Sequence, residues 1–201
     1  MTHTGTLEID NENFLSLSLN GVDFYCQYSK SANNQFILAF DDGDPFTRIS
    51  GHRKTGKGYY FLFKDHSLIV MGQVERPNDG KVADNGYFII NDWLFTDETK
   101  SIGYAFNERG EQILRKRFKA NLLMNALSSS GQFALFVTCN SSLGDNNIAI
   151  LYDLASKKQV WRKYFGLQRP DHLTLSDNEK IEVFFKDGRT MTFDWNFKLI
   201  S

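Results

Sequence analysis

Ser130-Gly131-Gln132-Phe133-Ala134-Leu135-Phe136-Val137 sets a polar turn directly before five consecutive apolar residues. A strand that is apolar on both faces is packed on both faces, whereas a strand of an open sandwich alternates. The same arrangement appears at Asn34-Gln35-Phe36-Ile37-Leu38-Ala39-Phe40, at Asn85-Gly86-Tyr87-Phe88-Ile89-Ile90 and at Asn178-Glu179-Lys180-Ile181. Measured between Phe36, Tyr87, Phe133 and Ile181, the spacings are 51, 46 and 48 residues. A second element, an aromatic followed by a polar residue and a turn, recurs at Phe63-Lys64, Phe106-Asn107, Tyr152-Asp153 and Phe193-Asp194, at spacings of 43, 46 and 41. Two independent elements share one period of about 45 residues, which is the length of a four-stranded propeller blade.

The rest of the chain reads the same way. Short apolar runs rich in β-branched and aromatic residues alternate with turn signals, the pattern of strands. The reading places strands at 6–9, 14–19, 23–29, 35–41, 59–63, 67–74, 81–83, 87–95 and 101–107. It continues at 112–118, 122–127, 132–138, 148–153, 159–164, 172–175, 181–185, 190–194 and 198–200. Asn20-Gly21, Asp79-Gly80, Asn85-Gly86, Arg109-Gly110, Ser130-Gly131 and Asp187-Gly188 supply tight-turn pairs between them. Good helix formers gather at Glu111-Gln112-Ile113-Leu114-Arg115-Lys116-Arg117, but the repeat puts a strand there. The fold class expected is all-β: a β-propeller-like array of about four four-stranded antiparallel blades, four-bladed or incomplete five-bladed, in one domain over 1–201. Strands 6–9 and 14–19 are left over; they complete the last blade, begin a fifth, or cap an unclosed array.

Ile148-Ala149-Ile150-Leu151-Tyr152-Asp153-Leu154-Ala155-Ser156-Lys157-Lys158-Gln159-Val160-Trp161 resembles the third-to-fourth strand hairpin of a WD-repeat or quinoprotein-like blade. Tyr104-Ala105-Phe106-Asn107-Glu108-Arg109-Gly110-Glu111-Gln112-Ile113-Leu114 is similar, with Gly in the turn. The resemblance covers about residues 35–200 as a pattern and is specific to no one family. It departs from true WD repeats: Gly51-His52 is the only Gly-His pair, and no Trp-Asp follows a strand. It implies a rigid scaffold and carries no function with it.

Composition removes several classes. The net charge is −1 and the pI near 6.4, without the basic footprint of a nucleic-acid-binding domain. No apolar run approaches the ~20 residues of a membrane span. The start, Met1-Thr2-His3-Thr4-Gly5, has no signal-peptide character, so a cytoplasmic location is expected. Cys26 and Cys139, the only cysteines, read as buried apolar residues.

Catalytic motifs fail on context. Gly51-His52-Arg53-Lys54-Thr55-Gly56-Lys57-Gly58 nearly matches a phosphate-binding loop, but Gly58 stands where a hydroxyl should bind Mg²⁺. The run that follows, Tyr59-Tyr60-Phe61-Leu62-Phe63, is a strand and not the required helix. Asp41-Asp42-Gly43-Asp44 reads as a turn and lacks the twelve-residue calcium pattern. His3, His52, His66 and His172 show no metal-ligand spacing, and Ser128-Ser129-Ser130-Gly131 lacks the nucleophile elbow. No cofactor and no metal are expected.

What remains is surface. The 41–58 connection is long for a hairpin, and long loops in compact domains are often functional. It is locally basic, with Arg48, His52, Arg53 and Lys54. Arg76-Pro77 and Arg169-Pro170 sit at analogous connections before innermost strands, and Trp93 lies where an apolar run turns polar. These residues are the candidate binding rim of a non-catalytic protein-interaction module, an adaptor or an inhibitor or immunity-type partner. The partner expected is another protein, with no nucleic acid and no membrane. The alternative is a small-ligand-binding or hydrolytic enzyme with its site in the central channel, using Asp84 and His172.

Overall fold

A computed structural model describes residues 5–47, 49–51, 53–96, 98–166 and 170–201. The described residues form seventeen strands and no helix, in four antiparallel sheets that follow chain order. The first sheet runs β1 (Gly5–Ile9), β2 (Phe14–Leu19), β3 (Val22–Lys30), β4 (Phe36–Asp41), β5 (Gly58–Lys64) and β6 (Ser67–Val74). The second holds β7 (Pro77–Val82), β8 (Phe88–Trp93), β9 (Ser101–Phe106) and β10 (Gln112–Phe118). The third holds β11 (Leu122–Leu127), β12 (Phe133–Thr138), β13 (Ile148–Asp153) and β14 (Lys158–Tyr164). The fourth holds β15 (Pro170–Leu175), β16 (Lys180–Phe185) and β17 (Thr190–Asp194). This is a propeller-like array of blades.

The unbroken apolar runs are explained by what each face meets. On β8, Phe88 and Ile90 join Phe36, Leu38, Phe40 and Leu62 of the first sheet. Ile89 between them turns the other way, into a cluster with Phe136, Ala134 and Ile150 of the third. On β12, Leu135 and Val137 likewise turn to Leu173, Leu175, Ile181 and Val183 of the fourth. The interface between the second and third sheets is tight at Gly103, where a Cβ would lie 2.9 Å from Phe136 Cε1. Among the described residues no blade packs on the far side of the fourth sheet, and its strands alternate buried and exposed.

Both repeating elements have a structural meaning. The aromatic-polar element ends the third strand of each blade, at β5, β9, β13 and β17. The polar-turn element is the hairpin between the first and second strands, and neighbouring hairpins are hydrogen-bonded in series. The Asn33 amide donates to Asp84 Oδ1 at 2.7 Å, and the Asp84 amide to the Ser129 carbonyl at 2.9 Å. Ser129 Oγ then donates to Asp177 Oδ2 at 2.5 Å, and Ser130 Oγ also bonds that carboxylate. Gly131 holds this relay together: its φ is +75°, and a Cβ there would lie 2.5 Å from Asn85 Oδ1. Gly131→Ala is expected to destabilise the chain by about 1 kcal/mol or more, read as a lowered urea midpoint.

Two expectations change, and one of the three alternatives left open for the N-terminal strands is selected. Asp79-Gly80 is not a turn: it lies inside β7, which begins at Pro77, six residues long and not three. A proline opening a strand needs no ladder donor at that position. Gly80 is there for close approach, since a Cβ would lie 2.8 Å from Leu38 Cδ2 and 2.9 Å from the Ile89 carbonyl oxygen. The strand expected over 198–200 is reduced to one bridge, Phe193 to Leu199, so the last blade has three strands. The N-terminal strands neither complete that blade nor begin a fifth. β1 and β2 continue the first sheet past β3. Their apolar side, with Leu15, Leu17 and Leu19, clusters with Phe24, Cys26, Ile37, Ala39, Phe61 and Phe63 and caps the array. None of the four sheets is closed.

Candidate functional site

The hairpin that caps the array has a second face. Strand register aligns Thr6, Ser18 and Asp23 in one row and Glu8, Ser16 and Tyr25 in the next. Phe14 and Gln27 form a third row, which continues to Phe40 of β4. This polar face lies on the same side of the sheet as the residues packed against the second blade. Here it floors a groove of about 710 Å³, walled by the 41–45 segment and by Pro77 and Asn78 at the start of β7. Alternation dictates the division, because residues one apart in a strand point to opposite faces.

The groove is acidic and partly aromatic. Glu8, Asp23, Asp41, Asp42 and Asp44 line it, with no Lys, Arg or His among the described residues. Tyr25 stacks on Phe14 with ring centroids 5.1 Å apart and planes within 2°, yet Tyr25 is 56% exposed. Phe46, 77% exposed, and Ile49, 53% exposed, stand on the adjoining loop. Burial raises the Asp41 carboxyl above the ordinary aspartate range, against the Gly43 amide that donates to it at 2.7 Å. The Phe46 and Thr47 amides, donating to Asp44 Oδ1 at 2.9 and 3.2 Å, lower the Asp44 carboxyl.

The loop wall is held by the residues expected to form the rim. Arg76 pairs with Asp42 at 3.0 Å, and the Gly51 amide donates to the same carboxylate at 3.1 Å. Arg53 donates to the carbonyls of Asp42 at 2.5 Å and Lys57 at 3.2 Å, and lies 4.4 Å over the Phe95 ring. Arg76 also lies over Trp93 at 5.7 Å. Trp93 itself donates its indole N–H to the Leu122 carbonyl at 2.8 Å, across to the third blade. The structure therefore gathers Arg53, Arg76 and Trp93 in one place, where these contacts tie the loop to the blades. Lys54 is exposed on that loop. Arg48, His52 and Arg169, with His3, lie outside the described residues.

Beneath Arg76 sits Asp92, 1% exposed, accepting from the Arg76 amide at 2.5 Å and the Glu75 amide at 3.3 Å. Burial outweighs these donors and lifts its carboxyl from 3.8 to about 6. Its folded form holds a proton more tightly than the unfolded chain does, so this contribution is full below pH ~4 and is lost as pH rises through ~6. At about 1.4 kcal/mol per pH unit the difference is about 3 kcal/mol. Urea titrations across that window are expected to show the stabilisation on acidification, and Asp92→Asn to flatten it.

The channel candidates are not brought together. Asp84 accepts from Asn33, while His172 pairs with Asp171 at 3.1 Å and stacks on Phe184 at 4.5 Å. Among the described residues no hydrogen bond joins the two, and no group of three or more His, Cys, Asp or Glu is placed to hold a metal ion. Cys26 and Cys139 are unpaired, Cys26 buried and Cys139 half-buried. No helix among the described residues is long and apolar enough to cross a membrane.

The sequence reading singled out the 41–58 loop but not the groove floor. Glu8, Asp23 and Tyr25 lie in two strands with strict alternation, and the signal was there: Phe14-Leu15-Ser16-Leu17-Ser18-Leu19 puts its serines and leucines on opposite faces. No family model matches the chain, and no curated protein matches it.

Proposed function

We propose that this protein is a non-catalytic interaction module that takes an extended segment of another protein into the groove over β1–β3. The observation that carries the reading is a groove lined, among the described residues, by five carboxylates and no basic side chain, with large apolar groups standing exposed beside it. Such a site favours a segment that alternates basic and apolar side chains. Basic groups would face Glu8 and Asp23, and apolar ones would cover Tyr25, Phe46 and Ile49. Aromatic anchors dominate interface energy, and complementary charge sets encounter rate and selectivity.

The groove volume also falls in the range of small-molecule sites, ~300–1,000 Å³. A small cationic ligand is therefore the second reading.

Fluorescence anisotropy with a labelled peptide of alternating lysine and leucine tests the first. Saturable binding that weakens with salt is expected, and none for the same peptide with glutamate in place of lysine. Equal binding of both peptides, or of neither, contradicts the proposal.

A further inference from the structure

Among the described residues each blade ends outward on a strand whose far edge has no partner strand, and such edges pair with other chains unless they are guarded. β10 carries Arg115, Lys116 and Arg117, and β14 carries Lys158, Arg162 and Lys163. The outer edge of β17 is occupied by the end of the chain, where the Ile200 amide donates to the Thr192 carbonyl at 2.7 Å and the Thr192 amide to Ser201 at 2.8 Å. β6 has neither guard. It is Ser67-Leu68-Ile69-Val70-Met71-Gly72-Gln73-Val74, eight residues without a charge and without proline. Ile69 and Met71 are 44% and 47% exposed on it. A bulge interrupts β6 once, but β10 and β14 are bulged as well, so the bulge does not set it apart.

We propose that β6 pairs edge to edge with β6 of a second copy of this chain, forming a two-fold symmetric dimer with one sheet running through both copies. Charge selects this occupant. An antiparallel pair about a two-fold axis sets residues equally far from the axis opposite each other, so the charges of a strand share one seam with an identical set. On β10 that would oppose Arg115 to Arg117 and Lys116 to itself, and on β14 it would crowd six cations along one seam; on β6 no charges meet. The chain's net charge of −1 adds little repulsion between copies. The strand also has no charged group by which to choose a different partner. Its unpaired backbone donors and acceptors would be satisfied, and Ile69 and Met71 would be covered, as in isologous interfaces generally. This proposal is independent of the groove, which lies on the polar face of β1–β3.

Sedimentation velocity over a dilution series of the full chain tests it, together with hydrogen exchange on the wild type. The expected result is a mass that doubles with concentration, with β6 amides gaining protection in the dimer while those of β10 and β14 do not. Ile69→Lys and Met71→Lys, both at exposed positions, should keep the far-UV circular dichroism and lose the dimer. A wild type that stays monomeric at every concentration overturns the proposal. A dimer without added protection in β6 overturns it too, as does one that survives both lysine variants; the wild-type exchange pattern decides the matter even where a variant misfolds.

Discussion

Phe136→Ala lowers the stability of the folded chain by about 3–5 kcal/mol, the range for truncating a buried aromatic. Phe136 is fully buried between the second and third blades, in one cluster with Ile89, Ala105, Phe118 and Ile150. Gly103, which faces the ring, has no side chain to swing into the space left behind. The loss is also not local. The second and third blades are the middle of an open array, so parting them leaves both apolar faces wet. Among the described residues no core cluster joins the first and fourth sheets, so no packed path around the other side bridges a weakened interface. Chemical denaturation with intrinsic tryptophan fluorescence measures the effect. A drop below about 1 kcal/mol would mean that this interface does not hold the array together.

Glu8→Lys combined with Asp23→Lys is expected to abolish binding of a lysine-leucine peptide while leaving stability within about 0.5 kcal/mol, as for surface substitutions generally. Both carboxylates lie on the groove side of their strands, opposite the apolar cap. Reversing them replaces attraction by repulsion at two points, and a loss of each 1.4 kcal/mol is about a factor of ten in Kd. Lys54→Glu, on the loop but not among the groove-lining residues, should leave the affinity nearly unchanged. If instead the peptide still binds the double variant, the groove floor is not its binding face.

The blades were legible because burial on both faces leaves a mark that few other environments leave. Phe133 to Val137 has no polar residue in it, and the two neighbouring blades account for both sides. The spacing of the hairpin turns was legible for a related reason: each turn must sit where it can bond to the next, from Asn33 to Asp84 to Ser129 to Asp177. Gly80 misled because glycine serves two needs, a turn or a close approach of chains, and the sequence does not say which. The destination of β1 and β2 was open for a deeper reason. Which edge a strand joins depends on the packing of the whole array, and no local pattern encodes it. The groove went unseen with it, since its floor exists only when those two strands extend the first sheet. The basic loop was visible as charge, but the acceptors that occupy Arg53 and Arg76, the carbonyls of Asp42 and Lys57 and the Asp42 carboxylate, become visible only in three dimensions.

Mapping amide chemical shifts of the uniformly ¹⁵N-labelled protein during titration with the lysine-leucine peptide tests the binding claim most directly. The prediction is a continuous set of shifts over β1, β2, β3 and the 41–45 wall, saturating together, with the loop at 141–147 and the outer face of β16 unmoved. Shifts that centre on Lys54 or on the 141–147 loop, or none at all at saturating peptide, would contradict it.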